Sequence, residues 1–284
     1  GFAPVKLDVL KKMAQLNQLS DAEMVRVQRS AMTDPSAPNP SVEAILHAII
    51  PFKFVDHTHA DAVVTITNTD EGEARIREIY GDRVLIVPYV MPGFILAKKI
   101  YEQTQGVDWT KLEGMILMNH GVFSFADDAK TSYERMIELV TAAENYLAEK
   151  NASLVLPSQV SVKENLLTLA GIRKTVSDIK GAAMIAKLES NRESVSFSNL
   201  PNVASIATRG PLTPDHVIRT KPIPVILGEE ANEDIARYVE GYKAYFERHS
   251  QPQLTRLNPA PCWAVWPGSG TISFGRSVKE AQII

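Results

Sequence analysis

The stretch Phe54-Val55-Asp56-His57-Thr58-His59-Ala60 decides how the rest of the chain is read. Alternate residues of a strand face the same side, so His57 and His59 aim two imidazoles at one point. Farther along, Asn119-His120-Gly121 adds a third imidazole at the end of an apolar run, Met115-Ile116-Leu117-Met118. Three neutral imidazoles and one carboxylate make a donor set that suits a catalytic divalent ion such as Zn2+. Surface and capping histidines also produce a His-x-His. Here the pair lies in an apolar stretch that ends Val63-Val64-Thr65-Ile66, which puts the rings at the edge of a core. Buried imidazoles are costly without partners, and a metal satisfies both. Asn119-His120-Gly121 has a second reading as a plain hairpin turn, since Asn and Gly favour positive φ.

The carboxylate has several candidates. Glu43 lies on the margin of an apolar stripe just before the histidine strand, at the boundary of core and solvent. His47, one turn on, competes as a ligand or forms an exposed i,i+4 pair with Glu43. Alternation turns Asp56 away from the two imidazoles, whereas Asp61 keeps their parity and would support the ligands from behind.

Around these residues helices and strands alternate. Residues 6 to 30 read as helical, with a capping box at Ser20-Asp21-Ala22-Glu23. Pro35, Pro38 and Pro40 enforce an irregular segment. Asn39 as cap and Pro40 at the first helical position then predict a helix through Ile50, which Pro51 stops. Glu71–Tyr80 reads as a helix and Val84-Leu85-Ile86-Val87-Pro88 as a buried strand. Val122-Phe123-Ser124-Phe125 resumes the strand after His120, and Asp127 or Asp128 caps a long helix. This order predicts an α/β layered architecture for residues 1–150. Residues 151–284 read as an extension: mostly helical to Leu188, then loop-rich with Pro201, Pro211, Pro214, Pro222 and Pro224, then a helix from Glu229 to His249. Trp263–Gly275 repeats the order of Met115–Ala126: apolar strand, glycine turn, strand ending Ser-Phe and a small residue. It is either a decayed repeat that has lost its histidine, with Gly268 or Ser269 in the place of His120, or a chance likeness. Tyr238, Tyr242, Tyr245 and Phe246, with His249 a turn on, form an aromatic stripe read as packing. Tyr89, after a proline, reads as buried, with a substrate-facing position as the alternative.

Composition narrows the setting. With 284 residues, 45% hydrophobic and 22% charged, the chain has the make-up of a globular protein, and its formal net charge of -3 gives no basis for nucleic-acid or anionic-membrane binding. No apolar run has the length of a membrane span. The single cysteine, Cys262, allows no internal disulfide and fits a reducing cytoplasm. The first residue is not Met and the chain ends on Ile283-Ile284, so it reads as a piece of a longer protein.

Taken in order, Glu43, Val55-Asp56-His57-Thr58-His59-Ala60-Asp61-Ala62, Val87-Pro88-Tyr89-Val90-Met91-Pro92-Gly93 and Leu117-Met118-Asn119-His120-Gly121 resemble the class II aldolase/adducin family. The resemblance is greatest to members that join such an aldolase to a short-chain dehydrogenase, the rhamnulose-1-phosphate aldolase/alcohol dehydrogenase type. Arg209–Lys221 is similar to the linking region of those proteins. The resemblance implies a three-layer α/β/α sandwich on a mainly antiparallel sheet, with a more helical C-terminal portion. It also implies zinc on His57, His59 and His120, with Glu43 as ligand or base, and a homotetramer with sites between subunits. Its implied reaction is cleavage of a ketose 1-phosphate to dihydroxyacetone phosphate and an aldehyde. Dehydration or epimerisation of a sugar phosphate at the same metal is one alternative, and a metal-free, adducin-like binding scaffold another. Two departures stand out. The family's glycine- and serine-rich phosphate-binding segment has no match before Pro40, leaving Lys98 and Lys99 as substitutes. No Gly-x-x-x-Gly-x-Gly follows a strand, so the dehydrogenase half is absent. A piece with these features is expected to bind metal but to be weak in catalysis.

Overall fold

A computed structural model describes residues 2–152, 165–252 and 254–284, and its strands fall into two separate sheets. Each sheet belongs to one of two units, Gly1–Ala152 and Ser153–Ile284. The first unit runs α1 (Leu7–Gln15), α2 (Asp21–Ser30), α3 (Ala44–Ile49), β1 (Phe54–Thr58), α4 (Asp61–Thr67), α5 (Gly72–Tyr80), β2 (Val84–Val87), α6 (Phe94–Gln103), β3 (Gly114–Leu117), β4 (Gly121–Ala126) and α7 (Ala129–Glu149). Its sheet has the order β1-β4-β3-β2, with β2 and β3 parallel and the other two pairs antiparallel.

Alternation along these strands builds three layers. Val55, Val87, Met115, Leu117, Phe123 and Phe125 face one side and pack against Leu10, Ile45, Leu46, Leu96 and Ile100 of α1, α3 and α6. Val84, Ile86, Ile116 and Val122 face the other, against Val63, Ile76, Tyr80, Met136 and Leu139 of α4, α5 and α7. Phe123 and Phe125 are wholly buried, each contributing roughly 1.5–3 kcal/mol by the usual value for burying a large apolar side chain. Covered on both faces, this sheet is the α/β/α sandwich that the resemblance implies.

Local signals account for most of the element ends. Ser20 accepts the Glu23 N–H while the Glu23 carboxylate takes the Ser20 N–H, completing the capping box. Asp128, rather than Asp127, caps α7 through the Thr131 N–H. The helix after Pro40 begins later than its sequence indicates: Ser41 Oγ accepts the Glu43 N–H in a turn, and α3 starts at Ala44 with Glu43 at its N-cap. Val63–Ile66, read only as the end of an apolar stretch, lies within helix α4.

The second unit runs α8 (Leu166–Lys180), β5 (Ile185–Glu189), α9 (Arg192–Ser198), α10 (Val203–Ala207), α11 (Pro214–Thr220), β6 (Val225–Ile226), α12 (Ala231–His249), β7 (Trp263–Trp266), β8 (Gly270–Gly275) and α13 (Val278–Ile283). Residues 153–164, which open the stretch expected to be helical, lie outside the described residues. That stretch ends earlier than expected, because Gly181 takes the left-handed conformation that closes α8 and Ile185–Glu189 is a strand. The segment expected to be loop-rich contains α9, α10 and α11.

This second sheet has the order β5-β8-β7-β6, again with one parallel pair and two antiparallel pairs. The likeness reaches single bonds. Ser124 Oγ donates to the Ser132 carbonyl and Ser273 Oγ to the Ala281 carbonyl. Ser277 caps α13 through the Glu280 N–H as Asp128 caps α7. Gly121 and Gly270 open the equivalent strands; a Cβ there would lie 2.5 Å from the Thr58 carbonyl and 2.1 Å from the Glu189 carbonyl, respectively. Among the described residues no helix is long and apolar enough to cross a membrane.

Gly270→Ala is therefore expected to destabilise the protein by about 3 kcal/mol or more, because both a positive φ and a fixed backbone oxygen oppose the new Cβ. Gly181 also has positive φ but open space around it, so Gly181→Ala should cost about 1 kcal/mol. Chemical denaturation of the two variants beside the parent checks the difference.

Candidate metal centre

His57 stands on β1 opposite Phe123 of β4, on the face that also carries Val55. Its ring stacks on Phe123 with centroids 4.0 Å apart and planes inclined by 13°. The His57 Nδ1–H donates to the Val122 carbonyl at 2.9 Å, which leaves the Nε2 lone pair free to face inward. His59, just past the end of β1, brings its Nε2 to 3.0 Å from that of His57. The strand-face reading of the His-x-His thus agrees with the structure.

The third imidazole comes from the tight turn between β3 and β4. Asn119 there has φ 57°, a left-handed conformation that few non-glycine residues adopt. A clamp holds it. Its N–H donates to Thr67 Oγ1 at 3.2 Å, and its Nδ2 donates to the Thr67 carbonyl at 3.2 Å and to Asn68 Oδ1 at 2.8 Å. On the other side of His120, Gly121 lets the backbone pass against Thr58, His57 and His59. Asn119-His120-Gly121 is a hairpin turn, as one reading has it, and the turn is what delivers His120 to the other two histidines.

Glu43 completes the group. As N-cap of α3 its side chain makes no cap hydrogen bond; it reaches instead to His120 Nε2 at 2.7 Å and His57 Nε2 at 3.5 Å. One ligating atom from each of Glu43, His57, His59 and His120 lies within 4.8 Å of every other. Burial disfavours the Glu43 carboxylate, but hydrogen bonding with His120 and the proximity of His57 outweigh it and hold its pKa well below the usual range. His120 Nδ1 is buried with no hydrogen-bond partner among the described residues. No neighbour claims a proton there, so the hydrogen sits on Nε2 and is donated to Glu43.

The other candidates fall outside the cluster. His47 Nδ1 bonds to the Val55 carbonyl at 3.1 Å, and its ring packs edge-on against Phe123. Burial, then the nearby His57, push its pKa down, and its ring nitrogens are not among the converging donor atoms, so it walls the site. Asp56 points to the opposite face and accepts from Ser132 Oγ at 2.6 Å, as alternation requires. Asp61 is an exposed first-turn residue of α4. Lys98 is engaged with the Gln15 carbonyl and Glu102, and Lys99 is exposed. Tyr89, expected to be buried, is 53% exposed, because Pro88 and Tyr89 lie beyond the end of β2.

The second unit keeps the frame without the donors. Gly121 and Gly270 open equivalent strands, and the pair Thr58 with Val122 corresponds to Glu189 with Thr271. Leu188 then stands where His57 does, Ser190 where His59 does and Ser269 where His120 does.

The family profile described as Class II Aldolase and Adducin N-terminal domain matches residues 7–147, and that described as Aldolase class II, second domain, matches residues 163–284. The chain belongs to the class II aldolase/adducin family. A protein of Bacillus subtilis (strain 168) named Uncharacterized oxidoreductase YuxG is 28% identical over 304 residues, an alignment that takes in 100% of this chain and 44% of that protein. The chain thus spans less than half the length of this relative. The N-terminal class II aldolase domain of a conserved protein from Thermoplasma acidophilum shares 40% identity, covering 52% of this chain and 67% of that one at a TM-score of 0.47. A sugar-phosphate aldolase from Thermotoga maritima shares 23% identity, with 43% and 59% covered and a TM-score of 0.33.

Because Asn119 aims His120 into the cluster, both Asn119→Gly and Asn119→Ala should weaken divalent-metal binding by about ten-fold or more. The glycine variant keeps the positive φ without strain, so it should be the more stable of the two by about 1 kcal/mol. Calorimetric titration with Zn2+ and thermal melts of both variants separate clamp from strain; unchanged metal affinity in both would remove Asn119 from the site.

Proposed function

We propose that the chain is a zinc-dependent class II aldolase domain that cleaves a phosphorylated ketose, such as a deoxy-ketohexose 1-phosphate, into dihydroxyacetone phosphate and an aldehyde. The observation that carries this reading is the convergence of Glu43, His57, His59 and His120 on one point. Three ring nitrogens and one carboxylate oxygen fit Zn2+ in number and type. These donor atoms lie within 4.8 Å of one another, close enough for the four residues to share one ion. His57 is already held in the required tautomer by the Val122 carbonyl, the kind of outer bond that orients metal-binding imidazoles.

A divalent ion held by these four residues supplies Lewis-acid stabilisation of the negative charge that develops beside a ketone when a carbon–carbon bond breaks. The protein's own task is then proton movement. Glu43 is ionised, nearly buried and bound through Oε1. In the ion-free cluster the bond from His120 keeps the carboxylate a weak base; that bond would be given up when His120 Nε2 turns to an ion, which would leave Glu43 to take a proton. His47, kept neutral beside His57, adds no competing charge. Retention of all four donors favours an enzyme over an adducin-like scaffold. The oxidoreductase name of the B. subtilis relative belongs to a chain more than twice this length, and the present sequence has no dinucleotide fingerprint, so the lyase reaction is assigned to this portion. A homotetramer with sites between subunits belongs to the same reading.

The purified chain is expected to bind about one divalent ion per chain. Given ketose 1-phosphates, it should release an aldehyde together with dihydroxyacetone phosphate; a dehydrated or epimerised product without cleavage would reassign the reaction. Glu43→Gln should keep most of the metal yet slow cleavage roughly a hundred-fold or more, whereas His57→Ala should lose the metal itself. Equal metal loss in both variants would make Glu43 a plain ligand.

A further inference from the structure

Among the described residues the second unit has no ligating cluster, yet α12 and the strand approach at residues 222–226 border an open cavity of about 560 Å³. That volume lies in the range of small-ligand sites. Tyr238, Tyr242 and Tyr245 line it along one face of α12. The aromatic stripe was expected to serve packing alone. Tyr238 does pack on the core, but Tyr245 is 42% exposed and stacks with Tyr242, centroids 6.3 Å apart and planes inclined by 28°. A flat apolar surface is therefore left open inside a concavity.

Its charge is one-sided. Arg209, Arg237 and Arg248 line the cavity, against a single carboxylate, Asp234. Asp234 is already engaged with Arg237 and with the Gly228 N–H. Among the described residues neither Arg209 nor Arg248 has a carboxylate partner. Behind Tyr242 the Lys221 ammonium sits 4.2 Å from the ring centroid and adds positive charge. Guanidinium groups without carboxylates select phosphate oxygens, which they bind two at a time, while stacked tyrosines select planar rings.

We propose that this cavity binds a nucleotide, its base against Tyr242 and Tyr245 and its phosphate on Arg209 and Arg248. The site is independent of the metal centre, so the two readings stand or fall separately.

Calorimetric titration of the whole chain with AMP tests it, with adenosine and inorganic phosphate as comparators. AMP should bind at least about ten-fold more tightly than either part alone, because base and phosphate each find a partner. Tyr245→Ala and Arg248→Ala alter exposed side chains, so both variants should stay folded by circular dichroism and retain Zn2+ binding. Each should weaken AMP by about ten-fold. Absence of AMP binding up to millimolar concentration, binding no tighter than that of phosphate, or affinity unchanged in both variants would overturn the proposal.

Discussion

The carbonyl oxygen of Thr58 occupies the space where a side chain at position 121 would have to go, and the clustering of the three histidines follows from that close approach. Only glycine lets β4 begin hard against the end of β1. With the register so fixed, His57 falls opposite Phe123 and its Nδ1 meets the Val122 carbonyl. One register step would turn His57 and His59 to the face of Asp56, away from His120. Three imidazoles from two distant parts of the sequence thus meet because a sheet has only one way to pack at this point.

The cluster carries a cost elsewhere in the fold. Glu43 sits at the N-cap of α3 and gives that helix no side-chain cap, a contribution typically worth about 1 kcal/mol. Asn119 holds a backbone conformation that is unfavourable outside glycine and is held there by three hydrogen bonds that it donates to the last residue of α4 and the residue after it. Both departures from local preference serve the same four-atom target, which is where departures are expected to collect.

Much of this could be read from the residues. His57, His59 and Asp56 obey strand parity, and Glu43 stands where the boundary of its apolar stripe puts it. The layered α/β order followed from helices and strands whose periods are strong. What escaped was set by tertiary contacts. Nothing local distinguishes Asn119 as a clamp, because Thr67 and Asn68 lie some fifty residues away. Val63–Ile66 is apolar in either helix or strand, and only its packing against Ile76 and Met136 makes it a helix. β5 alternates weakly and stays partly exposed, so its pattern is faint. The second unit separates two kinds of constraint. Gly270, Ser273 and Ser277 repeat the work of Gly121, Ser124 and Asp128 with no histidine cluster among the described residues of that unit, so those three positions belong to the fold and not to the cluster.

Lys221 has a consequence of another kind. Its side chain is buried in the second unit and donates to the Asn258 and Ala260 carbonyls, with no carboxylate paired to it among the described residues. Burial pushes its pKa down from 10.5 to about 8. A folded value below the unfolded one means that the unfolded chain holds the proton more tightly. Lys221 therefore opposes folding most below pH 8, and that opposition fades as the pH climbs from about 8 towards 10.5. By this proton linkage, one buried amine shifts the stability of the second unit towards the alkaline side of neutrality.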